Sequence, residues 1–135
     1  MKLEQVIIKN FRCYRNPISI SIDALTAIIA RNDVGKSSIL EALDAFFNSD
    51  KLEPGDRSCG LRSTDSIEIT CIFGEIPNQL IVDTDNLISP MNEYLLNNDN
   101  KLQIKKFIQG HHQNVSMFIF MLSIQRRKTL MIYFL

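Results

Sequence analysis

The stretch from Leu25 to Asn48, LTAIIARNDVGKSSILEALDAFFN, restricts this chain more than any other. A short apolar run, Leu25 to Ile29, leads into the polar segment ARNDVGKSS. Ile39, Leu40, Leu43, Phe46 and Phe47 follow at spacings that predict one apolar helix face. The order is strand, glycine-containing loop, helix. The helix should end near Asn48-Ser49-Asp50, ahead of the turn-forming run Glu53-Pro54-Gly55-Asp56.

A helix entered from such a loop offers its first-turn N–H groups, and the positive end of its dipole, to an anion. Gly35, Lys36 and Ser37 match the end of the phosphate-loop pattern G-x-x-x-x-G-K-[ST], with Ala30 at the first glycine position. The alternative, an ordinary helix N-terminus after a Gly-Lys turn, does not account for the strand-loop-helix context. The candidate nucleotide-binding residues are therefore Ala30, Asn32, Asp33, Val34, Gly35, Lys36, Ser37 and Ser38. Lys36 would supply a mobile cation to the terminal phosphates, and the Ser37 hydroxyl a ligand for Mg²⁺.

At 135 residues the chain forms at most one domain. Fifteen basic residues balance fifteen acidic ones, so no global field draws it to nucleic acid or an anionic membrane. Cys13, Cys59 and Cys71 are odd in number and show no C-x-x-C spacing, which argues against a disulfide framework or zinc site and for a reducing, cytoplasmic setting. The opening MKLEQVIIKNF lacks the apolar run of a signal peptide. Val115 to Ile124 is the most apolar segment and is too short to span a bilayer.

Along the chain, Lys2 to Asn10 reads as a buried strand, and FRCYRN as a polar connection. Ile18, Ile20 and Ile22 alternate with Ser19, Ser21 and Asp23, the pattern of a half-buried antiparallel strand. With Leu25 to Ile29, three strands are expected in the first thirty residues. Asp50 to Ser66 is a loop, and Ile67, Ile69, Cys71 and Phe73 mark a fourth strand ending at Gly74. Gln79 to Ile88 is ambiguous. Pro90 to Asn97 reads as one or two helical turns, Asn97 to Lys101 as a turn, and Leu102 to Ile108 as a strand with Lys105 and Lys106 exposed.

VIIKNFRCYRNPISISI followed by LTAIIARNDVGKSSILEALDAFF resembles the N-terminal lobe of RecF/SMC-type ABC ATPases, and especially OLD-family ATP-dependent endonucleases. Asn10-Phe11-Arg12 fills that family's N-F-R segment, and Asn32, Gly35, Lys36 and Ser37 its phosphate loop. The likeness covers about residues 1–109. It implies an α/β fold, a partial P-loop NTPase with a mixed β-sheet and the P-loop helix. It further implies ATP with Mg²⁺, a site completed by a homodimer partner or second ATPase lobe, and DNA contacted through a complete protein. No membrane association is implied. Arg12 would lie near the phosphates; a solvated loop arginine is the competing reading. Asn32 would brace the loop.

Other parts of that pattern are missing. Gln79 to Asp83 resembles a Walker B strand only weakly, with Thr84 where a catalytic glutamate would stand. No L-S-G-G-Q signature, switch histidine or Toprim acidic cluster is found, and His111 and His112 read as surface residues. No catalytic residue is assigned, and turnover by this chain alone is not expected. Either the chain is the ATP-binding lobe of an ATPase or ATP-dependent nuclease, or it is a non-catalytic nucleotide- or partner-binding module. Residues 110–135 lose the periodicity of the rest and end on MIYFL. They are expected to be an apolar tail foreign to the family, the alternative being a terminal strand pair at 115–124 and 129–135.

Overall fold

The computed structural model describes residues 1–29, 31, 35–48, 54–62, 64–83, 86–88, 96–109, 116–122 and 129–133. β1 (Lys2–Lys9) pairs antiparallel with β2 (Ile18–Ser21) on one edge. Helix α1 (Lys36–Phe47) and a 3₁₀ turn (Pro54–Asp56) precede β3 (Ile67–Gly74), which takes the other edge of β1. β4 (Leu80–Asp83) and β5 (Asn86–Ile88) form a separate two-stranded sheet. β6 (Leu102–Gln109), β7 (Ser116–Leu122) and β8 (Thr129–Tyr133) complete the main sheet, in the order β2-β1-β3-β6-β7-β8. β7 and β8, within the stretch set apart in the sequence, thus extend the sheet from β6.

The expected mixed sheet is not observed: every pairing among the described strands is antiparallel. The segment expected to bring a third strand, 25–29, carries no strand. Asp23 supplies a physical reason. Its carboxylate accepts the Ala24 N–H at 2.8 Å, and its own N–H donates to Thr26 Oγ at 2.8 Å. Local bonds of this kind compete with a ladder. Leu25 and Ile29 are left 92% and 91% exposed.

Alternation along β1 and β3 gives the sheet an inner face of Val6, Ile8, Ile69 and Cys71, all fully buried. Ile39, Ala42 and Ala45 of α1 join that core, and the two alanines leave little side chain between helix and sheet. Burying each isoleucine contributes about 1.5–3 kcal/mol. The apolar face is rotated from the expected one. Leu43 and Phe46 are half-buried, but Leu40 (62%) and Phe47 (55%) are exposed, because Ile39, Ala42 and Ala45 take the centre of the contact. Burial pushes the Cys71 thiol up to about 12, which keeps it protonated and inert at neutral pH.

Lys106 corrects a second expectation. It is 2% exposed and donates to the Ala45 carbonyl of α1, so it ties the sheet to the helix. Adjacent strand residues point to opposite faces, so Lys105 and Lys106 cannot both face solvent on one side. Lys105 is on the outer face, where it and Lys9 flank Glu68 at 3.1 and 2.9 Å. These three and Thr70 help line an open cleft of about 280 Å³. Between β5 and β6, the Asn97 side chain accepts the Asp99 and Lys101 N–H groups at 3.0 Å each, fixing the expected turn. The helical turns expected over Pro90 to Asn97 fall, up to residue 95, outside the described residues.

Candidate nucleotide site

α1 begins where the chain passes through Gly35 at φ 90°, ψ 7°. That left-handed value favours glycine, and the surroundings exclude anything larger. A Cβ there would lie 2.5 Å from Cys13 Sγ and 2.8 Å from the Tyr14 hydroxyl oxygen. The Gly35 of the phosphate-loop pattern is therefore also a packing requirement set by residues more than twenty positions earlier.

The helix start has the chemistry an anion needs. Its N-cap residue, Gly35, makes no side-chain cap bond, and its first turn holds no acidic residue. The first helical bond, Ile39 N–H to the Gly35 carbonyl at 3.3 Å, leaves the Ser37 and Ser38 amides without an acceptor inside the helix. Ser37 is exposed, so its hydroxyl can reach a cation. Ser38 is buried on the core side of α1, which leaves its amide rather than its hydroxyl for a phosphate. The Lys36 ammonium donates to the Arg31 carbonyl at 2.7 Å, within reach of the loop it would serve. Ala30, Asn32, Asp33 and Val34 lie outside the described residues, as do His111 and His112.

The Asn10-Phe11-Arg12 segment forms the wall beside this helix start. Asn10 sits at φ 61°, a left-handed value asparagine tolerates, and its side-chain amide donates to the Ser66 carbonyl at 2.8 Å. Phe11 is fully buried in the core. Reciprocal bonds between Phe11 and Tyr14, at 3.1 and 2.8 Å, close the turn. Arg12, at φ 48°, pairs with Glu41 on α1 and with Asp56 at 2.9 Å, and stacks on the Phe11 ring with 5.5 Å to its centroid. Its guanidinium is thus occupied by carboxylates of this chain. The Tyr14 hydroxyl donates to the Gly35 carbonyl at 3.1 Å. Burial, with the neighbouring Cys13, pushes the Tyr14 phenol above its usual range, so it remains a donor at neutral pH.

The weak Walker B look-alike falls in β4, which among the described residues pairs only with β5, with a register shift between Ile81 and Asp83. It is no strand of the main sheet.

A sequence profile of the AAA ATPase domain matches residues 1–132. The chain belongs to the AAA ATPase domain family. The match runs from the first residue through β7 and into β8. Membership makes this a nucleotide-binding ATPase domain by class, with ATP as the implied nucleotide and Mg²⁺ its usual companion. No curated protein matches the chain at a significant level. No helix among the described residues is long and apolar enough to cross a membrane.

Cys13, Tyr14, Glu41 and Asp56 were not singled out as site residues from the sequence. Cys13 and Tyr14 carry no motif of their own, and only the approach of their turn to Gly35 gives them a place. Glu41 looks like an ordinary exposed position of an amphipathic helix until Arg12 is found opposite it.

Proposed function

We propose that the chain binds Mg-ATP at the N-terminus of α1. The observation that carries this reading is the helix start behind a left-handed Gly35, with Lys36 as its first residue and no acid in its first turn. The Ser37 and Ser38 amides would receive phosphate oxygens, the Lys36 ammonium would exchange the Arg31 carbonyl for the terminal phosphates, and the Ser37 hydroxyl would ligate Mg²⁺. Gly35 and residues 30–34 would supply the loop. Arg12 reaches the phosphates only if it leaves Glu41 or Asp56.

The reading is of binding; Asp83, in the segment that weakly resembles a Walker B strand, stands in a sheet other than the main one, and no catalytic carboxylate is assigned. The N-F-R and phosphate-loop segments support a finer assignment, an ATP-binding lobe of the RecF/SMC or OLD type acting on DNA. A second lobe or subunit would then complete the site. Calorimetry with Mg-ATP tests the core of the proposal. Lys36→Ala should lower affinity at least tenfold, as expected from losing a charge-assisted contact of about 1.5–3 kcal/mol. Equal affinities for the two proteins would remove the phosphate site from α1.

A further inference from the structure

We infer that the cleft on the outer face of the sheet binds a small organic monocarboxylate, a single carboxylate carried on a short hydrocarbon stem. The cleft is separate from α1, which packs with Val6, Ile8, Ile69 and Cys71 on the opposite face. Strand register builds it. Ile7 of β1 stands opposite Thr70 of β3, Thr70 opposite Lys105 of β6, and Lys9 opposite Glu68. Gln103 and Pro17 complete a lining that encloses about 280 Å³. Pockets for whole ligands run from about 300 to 1,000 Å³, so a nucleotide is too large here and a molecule of a few carbons fits.

Thr70 is the residue that points to a ligand. It lines the cleft at only 3% exposure, and its hydroxyl makes no hydrogen bond among the described residues. Buried polar groups are as a rule paired, so a hydroxyl left over on a cleft wall is completed from outside the chain. The groups around it have donors to spare. An ammonium carries three N–H bonds, and Lys9 and Lys105 each give one to Glu68, at 2.9 and 3.1 Å. The Gln103 amide makes no side-chain bond among the described residues and adds a further donor. Two lysines against one glutamate leave the lining with one positive charge. A monoanion balances that charge, whereas a phosphate dianion would bring a surplus of negative charge up to Glu68. Ile7 and Pro17 supply an apolar side for the hydrocarbon stem.

The test titrates sodium butanoate into the ¹⁵N-labelled chain, beside sodium chloride and inorganic phosphate at matched ionic strength. Butanoate should move the Thr70 and Gln103 amides to saturation, with a Kd on the order of 1 mM for so small a ligand. Chloride and phosphate should not saturate them. Two variants should then shift the affinity in opposite directions. Thr70→Val keeps the branched shape and removes the hydroxyl, so it should weaken butanoate binding about tenfold. Its stability in urea should not fall, because no bond within the fold is given up. Glu68→Gln removes the competing carboxylate and releases both ammonium groups, so butanoate should bind more tightly. Should Thr70→Val fold poorly, Gln103→Leu removes another donor and should weaken binding in the same direction. Shifts that never saturate overturn the site. Equal saturation by chloride or phosphate overturns it too, since it would mark an unspecific charged patch. Unchanged butanoate affinity in Thr70→Val (or in Gln103→Leu where that replaces it), or unchanged or weaker binding in Glu68→Gln, overturns the assignment of these groups and the inference with it.

Discussion

The two flanks of the proposed phosphate loop are held in opposite ways. Downstream, Gly35 is gripped by Cys13 and Tyr14, and α1 is fastened to the sheet through Ile39, Ala42, Ala45 and the buried Lys106. Upstream, residues 25–29 form no strand, and Leu25 and Ile29 are almost fully exposed. The comparison teaches that the helix start is shaped by contacts distant in sequence, not by the segment that leads into the loop. The Asn10-Phe11-Arg12 turn does the bracing that a strand end would otherwise provide.

Gly35→Ala should break the gripped flank with the largest effect. The left-handed φ costs an alanine about 1–2 kcal/mol. Intrusion toward Cys13 Sγ and the Tyr14 hydroxyl adds an overpacking cost of about 1–3 kcal/mol. Urea unfolding should therefore show a loss of roughly 2–5 kcal/mol, with Mg-ATP binding abolished. A loss under half a kcal/mol would mean that the turn is not pressed against Gly35.

A smaller effect, away from both flanks, serves as the control. Burial alone would raise the Glu68 carboxyl, but hydrogen bonds from Lys9 and Lys105 outweigh it and hold the group below its usual 4.5. The folded value lies below the unfolded one, so this contribution is fully present above about pH 4.5 and is lost as pH falls through the folded value. Glu68→Gln should cost about 1 kcal/mol or less at pH 7 and flatten the acid limb of the stability profile. Mg-ATP affinity at pH 7 should not change. If it does, the outer face of the sheet communicates with α1, and the loop flanks are not the only determinants of the site.

What could be read in advance follows the range of the forces involved. Alternation at Ile18 to Asp23 and at Ile67 to Phe73 is local, and β2 and β3 lie where it puts them. The helix after Gly35 was legible for the same reason, though the choice between Leu40 and Ala42 as its buried residue depends on how it docks. Lys106 was misread although strand geometry contained the answer: beside an outward Lys105, it must point inward. The Tyr14–Gly35 bond could not be read, because it joins turns with no shared pattern. The strand expected at 25–29 rested on apolar composition alone. Such a run becomes a strand only when a neighbour supplies a ladder, and Asp23 instead supplies a turn.

The upstream flank yields the smallest effect. Leu25→Ser and Ile29→Ser, singly or together, remove apolar surface that is already in water, so no burial is forfeited. Each should change stability by about half a kcal/mol or less, as exposed substitutions usually do. Solubility should improve, since two large exposed side chains close in sequence favour self-association. Mg-ATP affinity should match wild type if the helix start is held from downstream by Cys13, Tyr14 and the packing of α1. The informative failure is a loss above about 1 kcal/mol in urea unfolding, well outside the range of surface changes. That would show the segment buried against something in solution, either a ladder within this chain or a second copy. Sedimentation of wild type and the double variant would then separate the two: a wild-type dimer that the variant dissolves identifies the second copy. A monomer in both places the ladder within the chain, and the two flanks would then be held alike.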